Sequence, residues 1–430
     1  MNLDLVNRLY RQLDALPIYD IHTHIRAERP FAASLADIIG YHYYTELANS
    51  AQYRAEFADE TDPAQVVRQV VERLPLLSNT VQFDWLTVIG EEFLGIERRH
   101  WLTRSWSELM ERAQQAIDAP DYQERVLRRS NVRRIYMTNA CDETLTGYDA
   151  GLLVPCLRTD AFVFEMDKPG ERDRLARASG GSLLTAADFT SALEIVFRRF
   201  HGLGMAYAAI STVPNLKTRP VSADEAQAIW ERMLAGKALD DASRQAWAAF
   251  GLNAVAENCQ RVGKPFHLMV GVRRGAYPAG VSGGRDLPDS VNSLAGYDYL
   301  FNQFPEVRFP TSVLAESMGL ELTSSAWIRH NVYPSGHWWY LNNPVDIARE
   351  VRRRLDVVPA SKLVGYYSDA YCVEFILPKF RMYKYELACA LAERVERSQS
   401  HPNMGALSED DALDLGRALL VDNPVSLFER

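Results

Sequence analysis

The stretch Pro17-Ile18-Tyr19-Asp20-Ile21-His22-Thr23-His24 is a short apolar run that ends on two histidines one residue apart. An apolar run of this length reads as a strand covered on both faces, as in a parallel sheet. Successive strand side chains alternate, so His22 and His24 share a face, where two imidazoles can bind one divalent ion. Working outward, similar runs recur at residues 132–137, 152–157, 205–210, 265–270, 307–314, 325–330 and 363–367. Helical stretches such as 223–261 and 345–355, with apolar residues every three to four positions, lie between them. Strand and helix alternating about eight times predicts an α/β protein built as a (β/α)8 TIM barrel. Inward-facing strand ends meet at the C-terminal face of such a barrel, so His22 and His24 are expected there.

The spacing of the runs is uneven. About 105 residues separate the first from the second, far more than one crossover helix needs. This segment reads as helices over 35–39, 63–74, 107–116 and 122–129, a helical insertion (27–130) capping a barrel made of 1–26 and 131–430. Glycines at 170, 180 and 181 and at 275, 280, 283 and 284 predict mobile loops over 167–182 and 273–289. A short helix over 409–420 is expected to pack on the outside.

Composition narrows the function classes. The 430 residues carry 47 Lys+Arg against 56 Asp+Glu, a formal net charge of −9, with 47% hydrophobic residues. That balance lacks the basic face of a nucleic-acid or anionic-membrane binder. No apolar run approaches the roughly 18 residues of a membrane helix, so a cytoplasmic protein is expected. The five cysteines are scattered, with no CxxC pair, and predict reduced, buried thiols.

A second chemical signal closes the last strand, Gly365-Tyr366-Tyr367-Ser368-Asp369. An aspartate at the end of the eighth strand can ligate the ion bound by His22 and His24, or act as a base. An aspartate there is also an ordinary helix N-cap, and an isolated HxH is also found on plain surfaces. Together the three make a ligand set. No lysine stands in 205–210, which argues against a carboxylated-lysine bridge and for one ion; zinc leads, with manganese or iron also suited to N/O ligands.

The combination resembles the amidohydrolase superfamily, and within it the uronate isomerase branch. The likeness runs in order along the chain. It covers Asp20-Ile21-His22-Thr23-His24, then Tyr41-His42-Tyr43-Tyr44-Thr45-Glu46 in the insertion and Pro155-Cys156-Leu157-Arg158-Thr159-Asp160. It continues through Gly336-His337-Trp338-Trp339-Tyr340-Leu341-Asn342-Asn343-Pro344 and residues 364–371, the Trp-Trp-x-Leu-x-Asn-Pro run being the specific part. The resemblance implies a metal-dependent aldose–ketose isomerase of carbohydrate metabolism acting on a uronate or related sugar acid. Asp369 and Tyr43 would exchange protons, Arg158 and Arg274 would hold a carboxylate, and Trp338 would line the site.

Three departures stand against a straightforward transfer. Met269 replaces the histidine of the family's fifth strand, and His267, two residues earlier on the same face, is the candidate fourth metal group. Tyr207 or Ala209 stands where the fourth strand has an acidic residue, and Tyr371 replaces an arginine just after the eighth-strand aspartate. Loss of an acid and an arginine together removes transition-state stabilisation that other groups must supply. Metal-dependent hydrolysis or decarboxylation of another carboxylated small molecule is therefore the alternative, and a catalytically dead binding barrel the rival from another class. His330 and His337 have no counterpart in the family and read as hydrogen-bonded structural residues, and the run Arg349, Arg352, Arg353 and Arg354 reads as a solvated helix face. Homo-oligomerisation is left open.

Overall fold

In the computed structural model, which describes residues 2–401 and 405–429, strands are short and central and helices surround them. The expected outer bounds of the barrel, 1 and 430, lie outside the described residues. The strands are β1 (Ile18–Asp20), β2 (Val132–Tyr136), β3 (Leu153–Val154), β4 (Leu157–Arg158), β5 (Ala208–Thr212), β6 (Phe266–Val270), β7 (Val272–Arg273), β8 (Leu287–Pro288), β9 (Phe309–Val313) and β10 (Val332–Pro334). They form a three-stranded sheet, β1-β2-β3, a five-stranded sheet, β10-β9-β6-β5-β4, and the small hairpin pair β7-β8. Every pairing in the two larger sheets is parallel.

Backbone hydrogen bonds also run between the sheets. Asn139 bridges to Leu157, and Ser335 to Val364, both in parallel sense. The amide of Asp369 donates to the His22 carbonyl at 3.1 Å and that of His24 to the Ala370 carbonyl at 2.7 Å. The last apolar run is thereby tied to the first, which brings Asp369 beside the two histidines.

The interior between the strands is unusually rich in tyrosine. Tyr136, Tyr207 and Tyr367 are buried there with Ile21, Met269 and Leu314. Each hydroxyl has a partner, as burial demands: Tyr207 donates to the Ile21 carbonyl at 2.7 Å, Tyr367 to Ser312 Oγ at 2.9 Å, and Tyr136 to Glu429 Oε1 at 3.4 Å. The chain end fills the base of this layer, Phe428 lying 5.2 Å from the Tyr207 ring and 5.8 Å from that of Tyr136. The expected outside helix over 409–420 exists as Glu409–Arg417, but the chain beyond it turns inward. Two large apolar residues, Leu427 and Phe428, bury better beneath the tyrosines than on the surface.

Other expectations need correction. The strand read at 325–330 belongs to the helix Gly319–Ile328; the strand of that region is β10, beginning at Val332. The apolar run misled because Trp327 and Ile328 are exposed (67% and 79%), while Leu322 and Ala326, four apart, face the core with helical spacing. Residues 167–182 are not a loop but contain the helix Pro169–Ser179. Pro169 opens it and Gly180, at φ +73°, closes it, so the residues that suggested a loop are the helix's start and stop. Among the described residues, nine α-helices lie between β1 and β2, from Leu35–Ile39 to Tyr122–Ser130; His42–Ala51 and Val81–Ile89 are two that the sequence pattern did not announce. The five cysteines are free and buried. Among the described residues, no helix is long and apolar enough to cross a membrane.

Candidate metal centre

His22 and His24 follow β1 directly and Asp369 follows the last run. Ligand atoms of the three lie within 4.8 Å of one another. His22 Nε2 is 3.5 Å and His24 Nε2 3.3 Å from Asp369 Oδ1. Tyr207 fixes the tautomer of His22. Its hydroxyl proton goes to the Ile21 carbonyl, so it offers His22 Nδ1, at 3.3 Å, only a lone pair. Nδ1 then carries the hydrogen and Nε2 the free lone pair, an assignment that rests on the hydrogen-bond network. Burial, its largest influence, keeps His22 neutral, pulling its pKa down to about 3.

Two buried atoms here have no hydrogen-bond partner, His22 Nε2 and Asp369 Oδ1. Orphaned buried acceptors are costly and rare. Both face the same point, and two imidazoles with one carboxylate form an N/O donor set suited to a divalent ion. The residues fit a metal. Burial alone would raise the Asp369 carboxyl, but the neighbouring His24 and His22 and the buried Lys379 ammonium reverse this and hold it ionised.

Around the triad the helix His42–Ala51 contributes Tyr43, whose buried hydroxyl donates to Asp369 Oδ2 at 3.3 Å. Burial pushes that hydroxyl well above its usual pKa, so it keeps its proton. The triad opens on a cavity of about 200 Å³, also lined by Arg158, Arg274, Trp338, Trp339 and Tyr371. Arg158 Nε lies 3.2 Å from Asp160 Oδ2. Arg274 pairs with Asp286 at 2.6 Å and donates to Ser211 Oγ, also at 2.6 Å, while Ser211 Oγ in turn donates to Asp160. Two guanidiniums and two carboxylates form one neutral network, so an anionic ligand would add its charge to cations already oriented. Tyr371 stacks on the His24 ring at 4.9 Å. Trp338 is buried in the cavity wall.

The chain shares its fold with the uronate isomerases. It superposes on the uronate isomerase of Thermotoga maritima with a TM-score of 0.86 at 19% identity, covering 99% of this chain and 97% of that one. The glucuronate isomerase of Caulobacter crescentus gives 0.86 at 18%, with 99% and 93% covered. The uronate isomerase of Bacillus halodurans C-125 gives 0.80 at 18%, with 99% and 97% covered. No protein-family model and no curated protein sequence matches the chain. At this identity the likeness speaks for the fold.

The remaining expected residues fall elsewhere. His267 is buried beside the three, its ring edge-on to His22 at 5.5 Å and its Nε2 3.3 Å from Ser312 Oγ. Met269 lines the cavity instead. His330 is exposed and bonded to the Pro305 carbonyl at 2.9 Å, and His337 is buried against Tyr366 and Tyr383. The arginine run is only partly solvated, since Arg354 is buried and donates to the Gly336 carbonyl at 2.8 Å.

Sequence reasoning passed over four groups. Asp20 accepts from the Ser368 amide at 2.8 Å and from its hydroxyl, joining first and last strands; burial raises its pKa to about 7 despite those bonds. Asp160 and Asp286 orient the arginines, and the place of Asp160 two residues after Arg158 was the one available signal. Lys379, far along the chain, carried no signal.

Proposed function

We propose that this protein is a divalent-metal-dependent aldose–ketose isomerase acting on a uronate or related sugar acid. The observation that carries the reading is the convergence of the His22–His24–Asp369 triad and two oriented arginines on one cavity, with a protonated tyrosine behind that aspartate. A divalent ion held by the triad would polarise the substrate's carbonyl and hydroxyl oxygens. Asp369, kept ionised, accepts the proton that leaves one substrate carbon and returns it to the neighbouring one, and Tyr43, which keeps its own proton, steadies that carboxylate by donating to its other oxygen. Arg158 and Arg274 bind the carboxylate and fix the sugar's orientation, which removes orientational freedom before the chemistry. Trp338 walls off water. His267 is the candidate fourth metal group, acting from the layer beneath.

Zinc is the ion we assign, and a cytoplasmic role in carbohydrate metabolism the setting. Residues 1–26 and 131–430 make one eight-stranded barrel in this reading, with 27–130 as the cap that delivers Tyr43. The test begins with metal analysis of protein purified without chelator, where about one equivalent of ion is expected. Metal-loaded protein is then assayed with glucuronate, galacturonate and other sugar acids. A ketose product supports the reading. Absence of bound metal even after reconstitution, or turnover of esters, amides or lactones with no ketose from any sugar acid, would overturn it.

A further inference from the structure

Asp369 adopts φ +56°, a left-handed backbone conformation uncommon for a residue with a side chain. Something must hold it there, because relaxing to an ordinary conformation would redirect its carboxylate. Two side chains do the holding. Lys379, fully buried in the first turn of the helix Ile376–Ser400, donates to the Ser368 carbonyl at 2.8 Å and to the Tyr41 hydroxyl at 3.1 Å. Tyr41 passes its own proton to the Asp369 carbonyl at 2.8 Å. One amine and one phenol thus fasten the carbonyls of two consecutive residues, those of the left-handed aspartate and its predecessor.

The amine is itself immobilised. Its nitrogen lies 4.8 Å from the Tyr41 ring centre, 4.9 Å from Tyr43 and 4.7 Å from Trp85, an aromatic cage that suits a desolvated cation. The same cage sets the ring of Tyr43, whose hydroxyl meets the Asp369 carboxylate. Lys379 and Tyr41 are both buried, and neither is among the residues lining the small cavity at the triad.

We infer that Lys379 and Tyr41 are positioning residues that hold Asp369 in its left-handed conformation and so preset its carboxylate toward His22, His24 and Tyr43 before an ion binds. The inference rests on the metal reading proposed above. It makes this device a joint product of the insertion, which supplies Tyr41, and of the helix after the last strand, which supplies Lys379.

The direct variant, Lys379→Met, also empties the aromatic cage and can fail to fold, so Tyr41→Phe carries the test. It keeps the ring and removes only the hydroxyl. Tyr44→Phe is the control: Tyr44 lies in the same stretch of the insertion, is as deeply buried, and loses one hydroxyl bond, to the Gln82 carbonyl at 2.9 Å, away from the triad. Zinc affinity is read by competition with a chromogenic chelator, the geometry of the site by the visible bands of the cobalt-loaded protein, and stability by Tm of the metal-free protein. Tyr41→Phe is expected to weaken zinc binding about tenfold, in the range for groups that orient metal ligands, and to shift the cobalt bands. Tyr44→Phe should keep wild-type affinity and bands at a comparable loss of Tm. Wild-type affinity in Tyr41→Phe, or equal weakening in Tyr44→Phe, overturns the inference while leaving the metal site standing. Failure of the unaltered protein to take up zinc or cobalt instead fells the metal reading, and the inference with it.

Discussion

Tyr43 and Asp369 form the contact on which the proposed chemistry turns, a protonated phenol on an ionised carboxylate inside a buried site. Removing that phenolic proton, in Tyr43→Phe, should lower kcat about 10²-fold while leaving the metal content at one equivalent, because the ring still packs and the triad is untouched. Steady-state kinetics with parallel metal analysis checks both halves; an unchanged kcat would strip Tyr43 of its role. Asp369→Asn goes further. It loses a ligand charge and the base together, so both metal affinity and activity should collapse, and full activity in this variant would mean the aspartate is a bystander. At this scale the sequence was informative wherever chemistry is local. Two histidines at strand spacing and an aspartate closing a strand declare themselves by their neighbours. Lys379 does not, because a lysine on an amphipathic helix looks like any solvated one until tertiary packing encloses it, and the ion pairing of Arg274 with Asp286 depends on how a long loop folds back.

The elements repeat the same division. Runs such as Phe266–Val270, buried at every position, were legible because burial on both faces leaves no polar positions. The strand that follows Ile328 was not. β10 is three residues long and offers almost no periodicity, while the helix before it ends on an exposed Trp-Ile pair that imitates a buried strand. The exit from β10 is constrained by one glycine. Gly336 has φ +56°, and a Cβ placed on it would come within 2.2 Å of the Tyr367 ring. Tyr367 is itself locked by its bond to Ser312, so it cannot yield cheaply. Gly336→Ala should therefore destabilise the protein by about 2 kcal/mol or more, from overpacking and left-handed backbone strain together. Urea unfolding would show a lower midpoint with an unchanged slope. A midpoint like that of the parent would show that this crossing relaxes easily.

Across the whole molecule, the formal charge of −9 says little about the site, where Arg158 and Arg274 stand with two aspartates beside the His22–His24–Asp369 triad. Global charge matters more for how stability responds to pH, and buried amines contribute in one window. Burial brings Lys384 down to about 8, its ammonium donating to the Asp14 and Leu16 carbonyls at 3.1 Å each. Lys362, half-buried over the Tyr333 ring, is likewise brought down to about 8. Below pH 8 both amines are charged in the folded and unfolded chain, and the folded state bears the desolvation of two cations. From pH 8 towards the usual lysine value of 10.5 the folded protein gives up these protons while the unfolded chain keeps them. Through these two groups the unfolded state then binds more protons, so they add stability as pH rises across that window, while the five buried thiols, which burial keeps protonated as the unfolded thiols ionise, act in the opposite sense. Lys384→Met removes one amine and leaves the thiols in place, so between pH 8 and pH 9.5 its urea midpoint should rise less, or fall more, than that of the parent. An identical pH dependence in parent and variant would show that Lys384 is not desolvated in solution as it is in the structure.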